Sequence, residues 1–157
     1  TAMQAGISGF TGVEHRMELV RVWHGVSWIN DSIATAPERT MAAIDSYTQP
    51  ILLLLGGRDK DLPWDTLSAK VHKRVSHVIL FGEAADKIYS AIGNPMVGDA
   101  LESVHSVGTL ANALEKAVDL ACSGDVVLLS PGCTSYDAFR DFEERGNYFK
   151  NWVNELK

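Results

Sequence analysis

The chain has 157 residues, 46% of them hydrophobic and 22% charged, with a formal net charge of −6. That length suits one domain, which at this size buries roughly 70% of the surface its unfolded chain exposes, so no covalent or metal staple is required. The acidic balance argues against a nucleic-acid interface. No apolar run approaches the ~18 residues of a membrane span. The cysteines, Cys122 and Cys133, fit free thiols in a reducing compartment better than a disulfide framework. The expectation is a cytoplasmic, monomeric protein with no nucleic-acid or membrane partner.

Residues 1–13, rich in Gly, Ser and Thr, read as a linker from an upstream domain, and the folded domain is expected over 14–157. Glu18–Trp23 and Val26–Ile29, joined by His24-Gly25, predict a β-hairpin. The chain then turns through Asn30-Asp31-Ser32, and Pro37 opens a helix reaching Tyr47, because the first helical turn needs no N–H there. Thr35 or Ala36 is its cap, and Thr is the better side-chain acceptor. Ile51–Leu55 is an unbroken apolar run, the mark of a strand covered on both faces, and Gly56-Gly57 ends it.

A helix over Leu62–Val75, a strand over His77–Phe81 and a helix over Glu83–Ile92 follow. Ala100–His105 is a short strand or extended connection. Thr109–Cys122 has a clear apolar helical face, Val126–Leu129 is another two-sided strand, and Ala138–Leu156 is a final helix that Gly146 kinks or splits. This alternation implies an α/β, Rossmann-like doubly wound sheet of about six strands, with helices on both faces. It is mostly parallel with one antiparallel edge strand.

Ligands of such sheets bind beyond the carboxyl ends of the strands. Polar chemistry gathers at Asn30–Thr35, at Gly56–Lys60 and at Ser130–Ser135, whereas the end at Phe81-Gly82-Glu83 looks plain. The Gly-Gly pair would let backbone approach a ligand closely, and Lys60 adds a point charge suited to carboxylate or phosphate. Arg58 and Asp59 read as a solvated charge run, and Ser135 as the cap of the final helix. No P-loop or G-x-G-x-x-G pattern is present, and the histidines show no metal spacing. Nothing in the sequence supplies a base to Cys133.

His15-Arg16, then GVSWINDSIAT, then LLLGGRDK, then VVLLSPGCTSYDAFRDFEERGNYF, in this order and spacing, resemble the C-terminal domain of the Mur ligases. Within that family the closing motif is most similar to the branch that adds D-glutamate to UDP-N-acetylmuramoyl-L-alanine. The resemblance implies a three-domain, ATP- and Mg²⁺-dependent ligase of peptidoglycan synthesis, in which an acyl phosphate forms and the amino-acid amine displaces phosphate. Its P-loop domain would lie outside this stretch, so the 157 residues alone are expected to be inactive and to contribute no catalytic residue and no metal site. By motif position, Thr35, Lys60, Ser135 and Phe142 would hold D-glutamate, with Phe142 as the wall. Arg16 would approach the nucleotide phosphates and Asp31 the ribose.

Two positions depart from the family pattern. Ile33 stands where many relatives have Lys, and Ala36 where many have Asn. Arg39, one turn into the helix, is the expected replacement cation. Other Mur ligases and folylpolyglutamate synthases share the domain, and a stand-alone small-anion binding module is the alternative of a different class. SPGCTSYDAF and FEERG favour the D-glutamate-adding branch.

Overall fold

The apolar run at Ile51–Leu55 lies at the centre of the sheet and shows why both faces must be covered. Side chains along a strand alternate between faces. Ile51, Leu53 and Leu55 pack with Ile44, Leu67, Val71 and Ile88 on one side. Leu52 and Leu54 pack with Leu114, Ala117, Phe149 and Val153 on the other. The computed structural model describes residues 13–157, so most of the expected 1–13 linker lies outside the described residues.

The elements in chain order are β1 (Glu18–Trp23), β2 (Val26–Asn30), α1 (Pro37–Asp45), β3 (Ile51–Gly56), α2 (Asp65–Arg74) and β4 (His77–Phe81). They continue with α3 (Ala85–Ile92), β5 (Ser103–Ser106), α4 (Leu110–Leu120), β6 (Val126–Leu129) and α5 (Phe142–Asn154). The sheet order is β1-β2-β6-β3-β4-β5. Among the described strands only the β1–β2 pair is antiparallel. Helices α1, α2 and α3 cover one face, and α4 and α5 the other. This is the expected Rossmann-like α/β sheet.

The order has a consequence for function. Strand β6 returns into the slot between β2 and β3, so the three polar strand ends noted in the sequence belong to three adjacent strands. Their loops are bonded together. Asp31 N–H donates to the Leu129 carbonyl, Gly56 N–H to the Pro131 carbonyl, and Arg58 and Thr134 exchange backbone bonds of 2.9 and 3.0 Å.

Two sequence expectations fail locally. The last helix starts at Phe142, not Ala138. Asp141 accepts from the Glu144 N–H at 2.8 Å and fixes the start there, while the Ser135 carbonyl closes a turn with the N–H groups of Ala138 and Phe139. Ser135 therefore caps no helix. Gly146 does not split α5, which runs unbroken from Phe142 to Asn154. The residue is small for another reason: a Cβ there would overlap Nδ1 of His15.

Buried His72 ties α2 to the connection after α3. Its Nδ1 faces Asp99 Oδ2 at 2.5 Å and its Nε2 faces the Ile92 carbonyl at 2.8 Å. Both partners are acceptors, so both ring nitrogens must donate, which only the imidazolium does. Burial opposes the charge, but the Asp99 and Ile92 bonds outweigh it and hold the pKa above the ordinary histidine value. A raised folded-state pKa stabilises the fold fully below the unfolded value of about 6.5, and that stability is lost as pH rises through the folded value. Urea unfolding should therefore show wild-type stability declining above about pH 6.5, with His72→Gln flattening that slope. A wild-type curve as flat as the variant's would contradict the charged assignment.

Candidate functional site

The residues after β2, β3 and β6 form one surface at the carboxyl end of the sheet. Ala36 occupies the N-cap position of α1 and makes no side-chain cap bond. The Thr35 hydroxyl is thus free of capping and accepts instead from Lys60 Nζ at 3.4 Å. The Arg58–Thr134 bridge sets the strand-end loop that carries Lys60 beside the one that carries Ser135. Phe142, half-buried at the first position of α5, sets its ring edge-to-face on His15 with centroids 6.0 Å apart. Its carbonyl accepts from the Ser32 hydroxyl at 2.7 Å. Lys60 is exposed and Ser135 is buried.

Arg16 and Asp31 line a cleft of about 490 Å³, with Met17, Ile33, Glu38 and Arg39 among its walls. Asp31 is buried. It accepts from the Met17 N–H at 3.0 Å and from the Ser130 hydroxyl at 2.7 Å. Burial raises its carboxyl pKa against these bonds and the charges of Arg16 and Arg39. Arg39 and Ile33 line this same cleft, so the cation one turn into α1 lies on the cleft that Ile33 borders.

The Gly-Gly pair has a different purpose from the one its sequence suggests. A Cβ on Gly56 would overlap the Phe81 carbonyl oxygen, and one on Gly57 the Thr134 carbonyl oxygen. The close approach is between neighbouring strand ends of the protein itself. Asp59 is no solvated charge either. It accepts from the Trp64 indole N–H at 3.0 Å and the Asp61 N–H at 2.9 Å and pairs with Lys87, which organises the loop that carries Lys60. Arg58 does behave as an exposed charge, paired with Glu83. The plain-looking end of β4 borders a second cleft of about 590 Å³, with Asp137, Phe139 and Tyr148 across from it. Cys133 is fully buried, and burial pushes its thiol up to about 12, so it is protonated and no nucleophile.

Three residues to which the sequence assigns no place in the site prove central to its packing. His15, in the left-handed region at φ 68, is buried against Asn30 and α5. Gly146 makes room for it. Arg145, 1% exposed, bonds Ser32 and Cys133. The FEERG run that contains Arg145 and Gly146 was the available signal. Among the described residues no group of three or more His, Cys, Asp or Glu is placed to hold a metal, and no helix is long and apolar enough to cross a membrane.

The fold recurs in solved ligases. A MurF ligase from Thermotoga maritima in complex with ADP superposes with a TM-score of 0.61 at 15% identity, over 92% of this chain and 32% of that one. A bifunctional folylpolyglutamate synthase/dihydrofolate synthase from Yersinia pestis gives 0.63 at 14% identity, over 90% and 32%. Similarity in sequence is much higher to UDP-N-acetylmuramoylalanine--D-glutamate ligases. It is 43% to that of Symbiobacterium thermophilum, over 99% of this chain and 34% of the relative. It is 40% to that of Myxococcus xanthus, over 99% and 33%. The chain thus spans about a third of the length of these curated relatives. The family model described as Mur ligase, glutamate ligase domain matches residues 15–133, which include the β2 and β3 strand ends and reach into the β6 loop. With the sheet order, the strand-end loops and these matches in agreement, the chain belongs to the Mur ligase, glutamate ligase domain family.

Proposed function

We propose that this domain binds D-glutamate and presents its amine to UDP-N-acetylmuramoyl-L-alanine in the ATP-dependent amide-forming step of cytoplasmic peptidoglycan synthesis. The observation that supports this reading is that the loops bearing Thr35, Lys60 and Ser135 leave three adjacent strands, with Lys60 Nζ 3.4 Å from the Thr35 hydroxyl. An amino acid with two carboxylates needs two anion contacts held at a fixed spacing. Lys60, already within reach of the Thr35 hydroxyl, supplies a charge for one carboxylate. Ser135 supplies a neutral donor for the other, and Phe142 closes the pocket with an apolar wall. The 43% identity to a D-glutamate ligase over nearly the whole chain supports the choice of amino acid.

ATP and Mg²⁺ belong to the proposed reaction. Arg16 fits an approach to the phosphates and Asp31 an approach to the ribose, because both line one cleft with cationic Arg39. Bound there, the nucleotide would supply the activation of the acceptor carboxylate. This chain offers no cluster of metal ligands among its described residues and no phosphate-cradling loop in its sequence, so ATP and Mg²⁺ would be held mainly by a central domain.

The test is phosphate release by the full-length ligase with UDP-N-acetylmuramoyl-L-alanine and ATP, with the amino acid varied. D-Glutamate should support turnover at least a hundredfold better than L-glutamate, L-lysine or diaminopimelate. Preference for any of the others would overturn the assignment.

A further inference from the structure

Arg145 is among the largest fully buried side chains, yet no carboxylate lies within ion-pair distance of it among the described residues. Its partners are all neutral. Nε donates to the Ser32 hydroxyl at 2.9 Å, Nη2 to the Ser32 carbonyl at 2.7 Å and Nη1 to the Cys133 carbonyl at 3.1 Å. A buried charge with only neutral partners is costly. A neutral side chain with amide donors could make part of this fork without that cost.

The three bonds reach each loop of the candidate site that lies next to α5. Ser32 lies three residues before Thr35. Its hydroxyl donates onward to the Phe142 carbonyl at 2.7 Å. Cys133 lies two residues before Ser135. Burial lowers the guanidinium pKa to about 10, which leaves it charged at neutral pH. Asp137 acts on it only from beyond ion-pair distance.

We infer that Arg145 is a positioning residue for the anionic amino acid: its fork sets the loops that carry Thr35 and Ser135 against the start of α5, where Phe142 lies, and the carboxylates of the bound amino acid balance its charge. This rests on the proposed D-glutamate site and adds to it a cation that makes no direct contact with the substrate.

The experiment compares Arg145→Gln and Arg145→Lys in the full-length ligase, with D-glutamate and ATP each varied. The glutamine variant, which lacks the charge, should raise KM for D-glutamate at least tenfold and leave KM for ATP within twofold. The lysine variant, which restores charge but not the fork, should recover a substantial part of that loss. Equal damage from both variants, a parallel rise in both KM values, or an unchanged KM for D-glutamate would overturn the inference. If the variants do not fold, the Arg145 Nε–H resonance of the wild-type ligase serves instead. It should shift as D-glutamate saturates the enzyme, and a resonance that does not move contradicts the proposal. A wild-type enzyme that does not use D-glutamate defeats the functional reading itself, whereas one that does, with an indifferent Arg145, defeats only this inference.

Discussion

Lys60→Ala in the full-length ligase should raise KM for D-glutamate roughly tenfold and change KM for ATP by less than about twofold. A charge-assisted contact to a carboxylate contributes about 1.5–3 kcal/mol, or about tenfold to a hundredfold in affinity. Lys60 is exposed, and solvent screening places the effect at the lower end of that range. Its Nζ lies 3.4 Å from the Thr35 hydroxyl, on a loop held by Asp59, which places the charge near the proposed contact. Ser135→Ala should act in the same direction with a smaller effect, because only a neutral donor is lost. Arg16→Ala should do the reverse and raise KM for ATP, since Arg16 lines the other cleft. Steady-state kinetics with both substrates varied decide the matter. A Lys60 variant that raised KM for ATP and spared that for D-glutamate would sink the division into two sides.

Gly146→Ala should destabilise the fold by about 2 kcal/mol, against the usual sign. Replacing Gly with Ala inside a helix ordinarily stabilises by up to about 1 kcal/mol. Here the new methyl would overlap Nδ1 of His15 and press on Asn30 Nδ2. His15 has little room to yield. It is 2% exposed, its ring bonds Asn30 at 2.8 Å, and its backbone N–H donates to Glu18 at 3.1 Å. Overpacking a well-filled site costs about 1–3 kcal/mol, and a lost buried hydrogen bond adds about 1 kcal/mol. Urea unfolding of Gly146→Ala should give a lower midpoint than wild type. Asn147→Ala, exposed on the same helix, should stay within about 0.5 kcal/mol. A Gly146 variant as stable as wild type would show that His15 is not held as described.

The sheet was readable because its signals are local. Ile51–Leu55 and Val126–Leu129 announce two-sided strands by composition, and Pro37, Gly93 and Gly124 punctuate the chain where elements change. The adjacency of the three polar strand ends depends on β6 returning between β2 and β3, a non-local fact that no window of sequence contains. The sequence leaves the start of α5 ambiguous because Ser135 and Asp141 both precede helix-compatible stretches, and only the turn closed by the Ser135 carbonyl tells them apart. Gly56, Gly57 and Gly146 look alike in sequence as flexible or ligand-facing positions, yet each is small because another part of the same protein approaches it. Thr35, Lys60, Ser135 and Phe142 are proposed through motif resemblance. Arg145 stood in the same motif, but an uncompensated buried charge becomes visible only once its surroundings are known.

In the proposed arrangement the loops after β2, β3 and β6 receive the amino acid, and the nucleotide takes the Arg16–Asp31 cleft. Chemical-shift titration of the full-length ligase with D-glutamate, and separately with ATP and Mg²⁺, tests this division most directly. D-Glutamate should move the resonances of Thr35, Lys60, Ser135 and Phe142 saturably, while the nucleotide should move those of Arg16 and Asp31. Shifts from D-glutamate confined to the Arg16–Asp31 cleft, with Lys60 and Ser135 unmoved, would contradict it.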